Sequence, residues 1–75
     1  MTTYTATFSN GETRERVSNG KVYTHAALMV DSDGVMGVSH FSTSADKALK
    51  GVKGKTSHYA KNRVWTFEVV ETKAS

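Results

Sequence analysis

Twelve residues of this chain have the types and spacing to do chemistry. Arg14, Arg16, Tyr23, His25 and Phe41 fall in segments that read as β-strands, and Lys47, Lys50, Lys53, Lys55, Tyr59, Lys61 and Arg63 follow as a basic run. Guanidinium groups hold phosphates through paired hydrogen bonds, and aromatic rings stack on unpaired bases. Residues 47 to 63 contain no Asp or Glu, so this stretch carries most of the positive charge and could follow a phosphate backbone. The formal net charge of +3 is modest, so the placement of these cations matters more than their surplus.

Other chemistries are poorly represented. Gly54-Lys55-Thr56 has the ending of a phosphate-binding loop, but the motif's first glycine would fall at Leu49 and the segment follows a helix instead of a strand. Ser39 and His40 are neighbours on a strand, so their side chains point apart, and no G-x-S-x-G occurs. His25 and His40 share a face only if the turn at Asp33-Gly34 has two residues, and no carboxylate cluster completes a zinc shell. The sequence therefore predicts no metal, no cofactor and no enzymatic activity.

With 75 residues and a hydrophobic fraction of 37%, one small domain is expected over residues 1–75. There is no cysteine, hence no disulfide or thiolate metal site. No apolar run approaches the roughly 20 residues of a membrane span, and no signal layout opens the chain. The expectation is a soluble cytoplasmic protein, in the host cytoplasm if a phage encodes it.

The elements that must position these residues are a meander and a helix. Residues 3–9 alternate Tyr4, Ala6 and Phe8 against Thr5, Thr7 and Ser9, the pattern of a half-buried strand. Asn10-Gly11 and Asn19-Gly20 predict two-residue hairpin turns, with Tyr4 facing Val17 and Val17 facing Val22. Asp31-Ser32-Asp33-Gly34 suits a three-residue loop with Gly34 left-handed, in which Val30 faces Met36 and Leu28 faces Val38; a two-residue Asp33-Gly34 turn is the competitor. Thr43 is the expected helix cap, Ala45, Ala48, Leu49 and Val52 the apolar stripe, and Gly54 the stop. Residues 55–63 read as a basic loop and Val64 to Thr72 as the last strand, with Trp65, Phe67 and Val69 inward.

The predicted fold is α+β: a five-stranded antiparallel sheet made of a four-strand meander, one helix packed on one face, and a C-terminal strand beside strand one. The helix-covered face would hold Tyr4, Ala6, Phe8, Val17, Val22, Ala26, Leu28, Val30, Met36 and Val38. Arg14, Arg16, Tyr23, His25, Ala27, Met29 and Phe41 would form the open face, with Arg16 opposite Tyr23 and Arg14 opposite His25.

The passage from Gly37 through His40, Phe41 and Thr43 to Ala48 resembles the strand-to-helix join of three-strand-plus-helix DNA-binding domains, such as plant AP2-type and integrase arm-binding domains. That resemblance implies a helix on one sheet face and DNA on the other. Their Arg- and Trp-rich sheet motifs have no counterpart here beyond Arg14 and Arg16. In its compact format the chain is also similar to small phage or mobile-element proteins that block host nucleoprotein machinery, anti-CRISPR proteins among them.

The leading expectation is a small basic module that contacts nucleic acid or a nucleoprotein complex through the open face and the Lys-rich strip. A phage-type inhibitor docking on a host protein is the alternative, with Met29 and Phe41 as its apolar anchor. A homodimer closed through the same face or an edge strand is a third reading.

Overall fold

The computed structural model describes residues 1–32, 37–56 and 64–75. The element order is β1 (Thr2–Thr7), β2 (Thr13–Ser18), β3 (His25–Asp31), β4 (Gly37–Ser42), α1 (Ala45–Lys55), β5 (Trp65–Glu71) and β6 (Lys73–Ala74). The α+β class with antiparallel strands and one helix is as expected, but the sheet is not one. Two three-stranded sheets form, ordered β2-β1-β6 and β4-β3-β5. Strand β3 pairs with β5 instead of β2, and the expected pairing of Val17 with Val22 is absent. The C-terminal chain does return to strand one, but through the short β6, whose Lys73 and Ala74 oppose Thr5 and Tyr4, and through Ser75, which exchanges two backbone hydrogen bonds with Thr3 (both 2.9 Å).

The reason lies in β3. Ala26-Ala27-Leu28-Met29 is an unbroken apolar run, and all four residues are buried. Such a run marks a strand covered on both faces, because alternate side chains point to opposite sides. Ala26 and Leu28 pack with Tyr4, Ala6, Phe8, Tyr23 and Phe41 against the β1 sheet. Ala27 and Met29 pack on the other side with Ala48 and Val52 of α1, bordered by Val38, Leu49, Trp65 and Val69. The molecule is thus three layers deep: sheet, sheet, helix. The helix lies over Ala27 and Met29, the side expected to be open.

One bent strand joins the sheets. Chain β5 pairs with β3, turns at Thr72 and continues as β6 beside β1. The corner is tied down by Thr72 N–H donating to Thr24 O (3.0 Å) and Thr72 Oγ1 donating to Tyr23 O (2.6 Å). The opposite margins, β2 and β4, are not paired with each other, so the two sheets open along a β2/β4 seam.

Both hairpin registers differ from expectation by one residue. The β1–β2 register, Tyr4↔Arg16 and Ala6↔Arg14, comes from a three-residue loop Ser9-Asn10-Gly11. Phe8 N–H donates to Glu12 O (2.9 Å) and Gly11 N–H to Phe8 O (3.0 Å). A two-residue type I′ turn needs positive φ at Asn10 as well, whereas Gly11 at φ +90° is positive and no non-glycine residue is among the described residues. Asn10 Oδ1 instead accepts from Glu12 N–H (2.9 Å), a local bond that favours the longer loop. The slip turns β2 over. Val17 is left 56% exposed, while Arg14 and Arg16 take the face of Ala6 and Tyr4.

The β3–β4 register, Met29↔Val38 and Ala26↔Phe41, is that of the two-residue competitor. The turn itself, with Gly34 and Met36, lies outside the described residues. This register carries Phe41 into the core, so neither Phe41 nor Met29 can anchor a dimer or a host protein.

The helix starts one residue later than expected. Ser44, with extended φ −152° and ψ 159°, caps it by accepting from Lys47 N–H (3.2 Å), and the helix passes through Gly54 to end at a Thr56 cap. Asp46 sits in the first turn and Lys53 and Lys55 in the last, complementing the helix dipole.

The core position of Phe41 makes a clear prediction. Phe41→Ala should lower unfolding free energy by about 3–5 kcal/mol in urea denaturation, as for other buried aromatics. An open-face Phe41 would instead cost within about 0.5 kcal/mol.

Candidate nucleic-acid interface

The residues expected on one flat platform are redistributed, and the register explains how. Arg14 and Arg16 lie on the inward side of β2, but β2 is the outermost strand of its sheet, so their side chains reach across the seam toward β4. The Arg14 guanidinium lies against Gly37 at the start of β4, where an added Cβ would stand 3.0 Å from Nη2. Its Nη2 donates to Glu12 Oε2 at 3.3 Å, and its Nε is buried without a hydrogen-bond partner among the described residues.

Arg16 and Lys21 converge on one ring. Arg16 Cζ is 5.4 Å and Lys21 Nζ 5.6 Å from the Tyr23 centroid, both within cation–π range. Lys21 is placed by the turn after β2: Gly20 takes φ +104°, and Lys21 N–H donates to Ser18 Oγ (3.1 Å). Tyr23 stacks edge-on against Tyr4 (5.6 Å) and Phe41 (6.2 Å). The expected neighbourhood of Arg16 and Tyr23 holds, but through space and not as strand partners. Tyr23 and Phe41 are buried, so stacking on a base is ruled out for both. Arg14 is not opposite His25, because β2 and β3 do not pair.

From the helix side, Lys55 Nζ donates to Ser39 O at 3.0 Å. Gly51 and Lys55, spaced i, i+4, lie against β4, and the exposed Lys47 one turn earlier continues the same helical row. Lys50 is exposed beside that row. Lys53 lies on the other shoulder, with Nζ 5.6 Å from the centroid of Phe67 on β5. Tyr59, Lys61 and Arg63 lie outside the described residues.

In a single sheet with the helix on one face, the arginines of the open face and the helix lysines would point away from each other; the three-layer arrangement instead brings Arg14, Arg16 and Lys55 to one strand. Strand β4 is the free margin of the middle layer. Arg14, Arg16 and Lys21 reach it from the first sheet, and Lys55 from the helix. Lys21 was not singled out in the sequence, although its position right after Asn19-Gly20 was a signal that it stands at a chain reversal.

His40 sits at the centre of this margin. The register puts it opposite Ala27, on the helix side, with its ring beneath Gly51. A Cβ on Gly51 would overlap the imidazole, lying 2.6 Å from Cγ. Burial first, then the charges of Lys55, Arg16 and Lys21, hold the imidazole below its ordinary 6.5. His25, two residues before Ala27, shares that face, contrary to expectation. Its Nδ1 is hydrogen-bonded with Thr24 Oγ1 at 2.9 Å. No group of three metal-ligating side chains occurs among the described residues.

Two stability tests follow. Gly51→Ala should destabilise by about 1–3 kcal/mol, the range for overpacking, although helix propensity alone favours Ala by about 1 kcal/mol; urea denaturation reads the sign. The native pKa of His40 is lowered, so the unfolded chain protonates first as pH falls through 6.5. Its contribution to stability is therefore full above that value and declines below it. Denaturation at about pH 7.5 and about pH 5.5 should show a drop in the wild type that is smaller in His40→Gln.

No family model, characterised protein or solved structure matches the chain, so its function is read from its own residues.

Proposed function

We propose that this protein is a non-enzymatic module that binds nucleic acid by its phosphate backbone, through cations gathered on both flanks of the β4 margin. The observation that supports it most is the convergence of Arg14, Arg16 and Lys21 from one layer and Lys55 from another on a single exposed strand edge. Lys47 and Lys50 extend the same charge along the helix. Backbone contacts of this kind are sequence-independent and release counterions. The base-stacking role first expected of Tyr23 passes to support: the buried ring holds Arg16 and Lys21 in place beside the seam.

The alternative, an inhibitor docking on a host protein or nucleoprotein complex in the manner of anti-CRISPR proteins, uses the same cations against an acidic surface. It no longer has the Met29 and Phe41 anchor. An apolar contact for it is available on the far shoulder, where Val64 is 70% and Phe67 37% exposed. No helix among the described residues is long and apolar enough to cross a membrane.

Fluorescence anisotropy with a short labelled duplex, over a range of salt, tests the proposal. Four phosphate contacts should give a log–log salt slope of roughly −3 to −4, and Arg16→Ala or Lys21→Ala should each reduce it by about one. No binding at low salt would end the nucleic-acid reading. Recovery of a partner from nuclease-treated extract, lost in Phe67→Ser, would favour the protein-docking alternative.

A further inference from the structure

The cations of the β4 margin are permanent, but the group at their centre is not. His40 projects from the edge strand beneath Gly51, the residue between Lys47 and Lys55 in one helical row. Its chain neighbour Ser39 has its carbonyl held by Lys55 Nζ at 3.0 Å. Across the strand stand Arg16 and Lys21, gathered on Tyr23. The charged groups acting on the ring are Lys55 from α1, Arg16 from β2 and Lys21 from the β2–β3 link. From β3 the residue opposite is Ala27, which carries no charge, and the titratable His25 lies two residues along on the same face. Among the described residues, every charge acting on the imidazole has the same sign, and the ring remains partly exposed.

We propose that His40 is a proton-dependent anion contact: docking of a nucleic-acid backbone on the β4 margin draws a proton from solvent onto its imidazole, so the protein holds nucleic acid more tightly in mild acid than at neutral pH. This rests on the nucleic-acid reading of that margin. In the free protein, partial burial and three surrounding cations disfavour a further positive charge. Phosphates brought against Lys55, Arg16 and Lys21 offset those charges and replace repulsion with attraction. The imidazolium then adds a donor and a charge where the backbone lies. By linkage, a ligand that raises the proton affinity of a group is itself bound more tightly as that group protonates. No bond changes other than the transfer of one proton from water or buffer to a ring nitrogen.

The geometry also explains why a glycine stands at position 51. Any side chain there would fill the space the imidazole occupies. Glycine weakens the helix, yet it lets the titrating ring pack directly under the helix backbone, one turn before Lys55.

The test is the affinity of the full chain for a short duplex at constant ionic strength, at about pH 7.5 and about pH 5.5. The wild type should bind about threefold to tenfold more tightly at the lower pH, one proton allowing at most about tenfold per pH unit. His40→Gln should lose most of that dependence and His25→Gln should keep it. Proton NMR of the wild-type histidine rings gives a second readout that needs no variant: the His40 titration midpoint should move upward when the duplex is added. Equal affinity at both pH values, dependence that survives in His40→Gln, or an unmoved midpoint would each overturn the proposal while leaving nucleic-acid binding intact. Absence of binding at either pH would remove the underlying reading, and this proposal with it.

Discussion

The structure depends on one strand being covered on both sides. Ala26 and Leu28 face a second sheet and Ala27 and Met29 face the helix, so β3 contributes to both apolar clusters. A chain of this length has too little apolar material to build two separate cores. Placing one continuous apolar strand in the middle lets the same backbone serve both. Once β3 is central it needs strand neighbours on each edge, and β4 and β5 take those places. The strands β1 and β2 are then left to cover its outer face as a layer of their own.

That arrangement has an electrostatic consequence. The bent β5–β6 strand closes one side of the two sheets, while β2 and β4 remain free margins on the other. A free margin exposes unpaired backbone groups and invites association with other strands, and charged side chains are a common guard against it. Here Lys55 takes the Ser39 carbonyl and Arg14 covers Gly37. The need to protect an edge and the concentration of positive charge along it therefore have a common origin. The Arg14–Glu12 pair is partly solvated and contributes at most about 1 kcal/mol by itself, so its value lies in placing the guanidinium over the seam.

Local preference and packing disagree at one point, the contact between His40 and Gly51. Helix propensity asks for a better helix former in the middle of α1. The layer spacing leaves room only for a hydrogen there, because the imidazole occupies the volume a methyl group would need. Conflicts of this sort, where a local rule gives way to a particular side chain, cluster at sites with a role beyond folding. The three cations around the same ring are an independent sign of such a role.

Local chemistry determined much of this molecule. Glycines at turn positions, the apolar stripe of the helix, the alternation of β1 and the inward side of Trp65 and Val69 all follow from short-range periodicity and steric freedom, which a sequence carries directly; Phe67, expected inward with them, is instead exposed at the margin of the helix. The unbroken run from Ala26 to Met29 carries the signal of double burial, since a one-sided strand would alternate, yet the expectation of a single sheet had put Ala27 and Met29 on the open face. Only the tertiary structure decided the register of the two hairpins and the partner of β3. Register there turns on whether Asn10 accepts positive φ and on which faces find cover, and a one-residue difference reverses every side chain of β2 and β4. Arg16 and Lys21 flank one turn, but His40 and Lys55 come from distant stretches, and the four meet only because the sheets stack and the helix crosses them, a long-range packing event that no local pattern encodes.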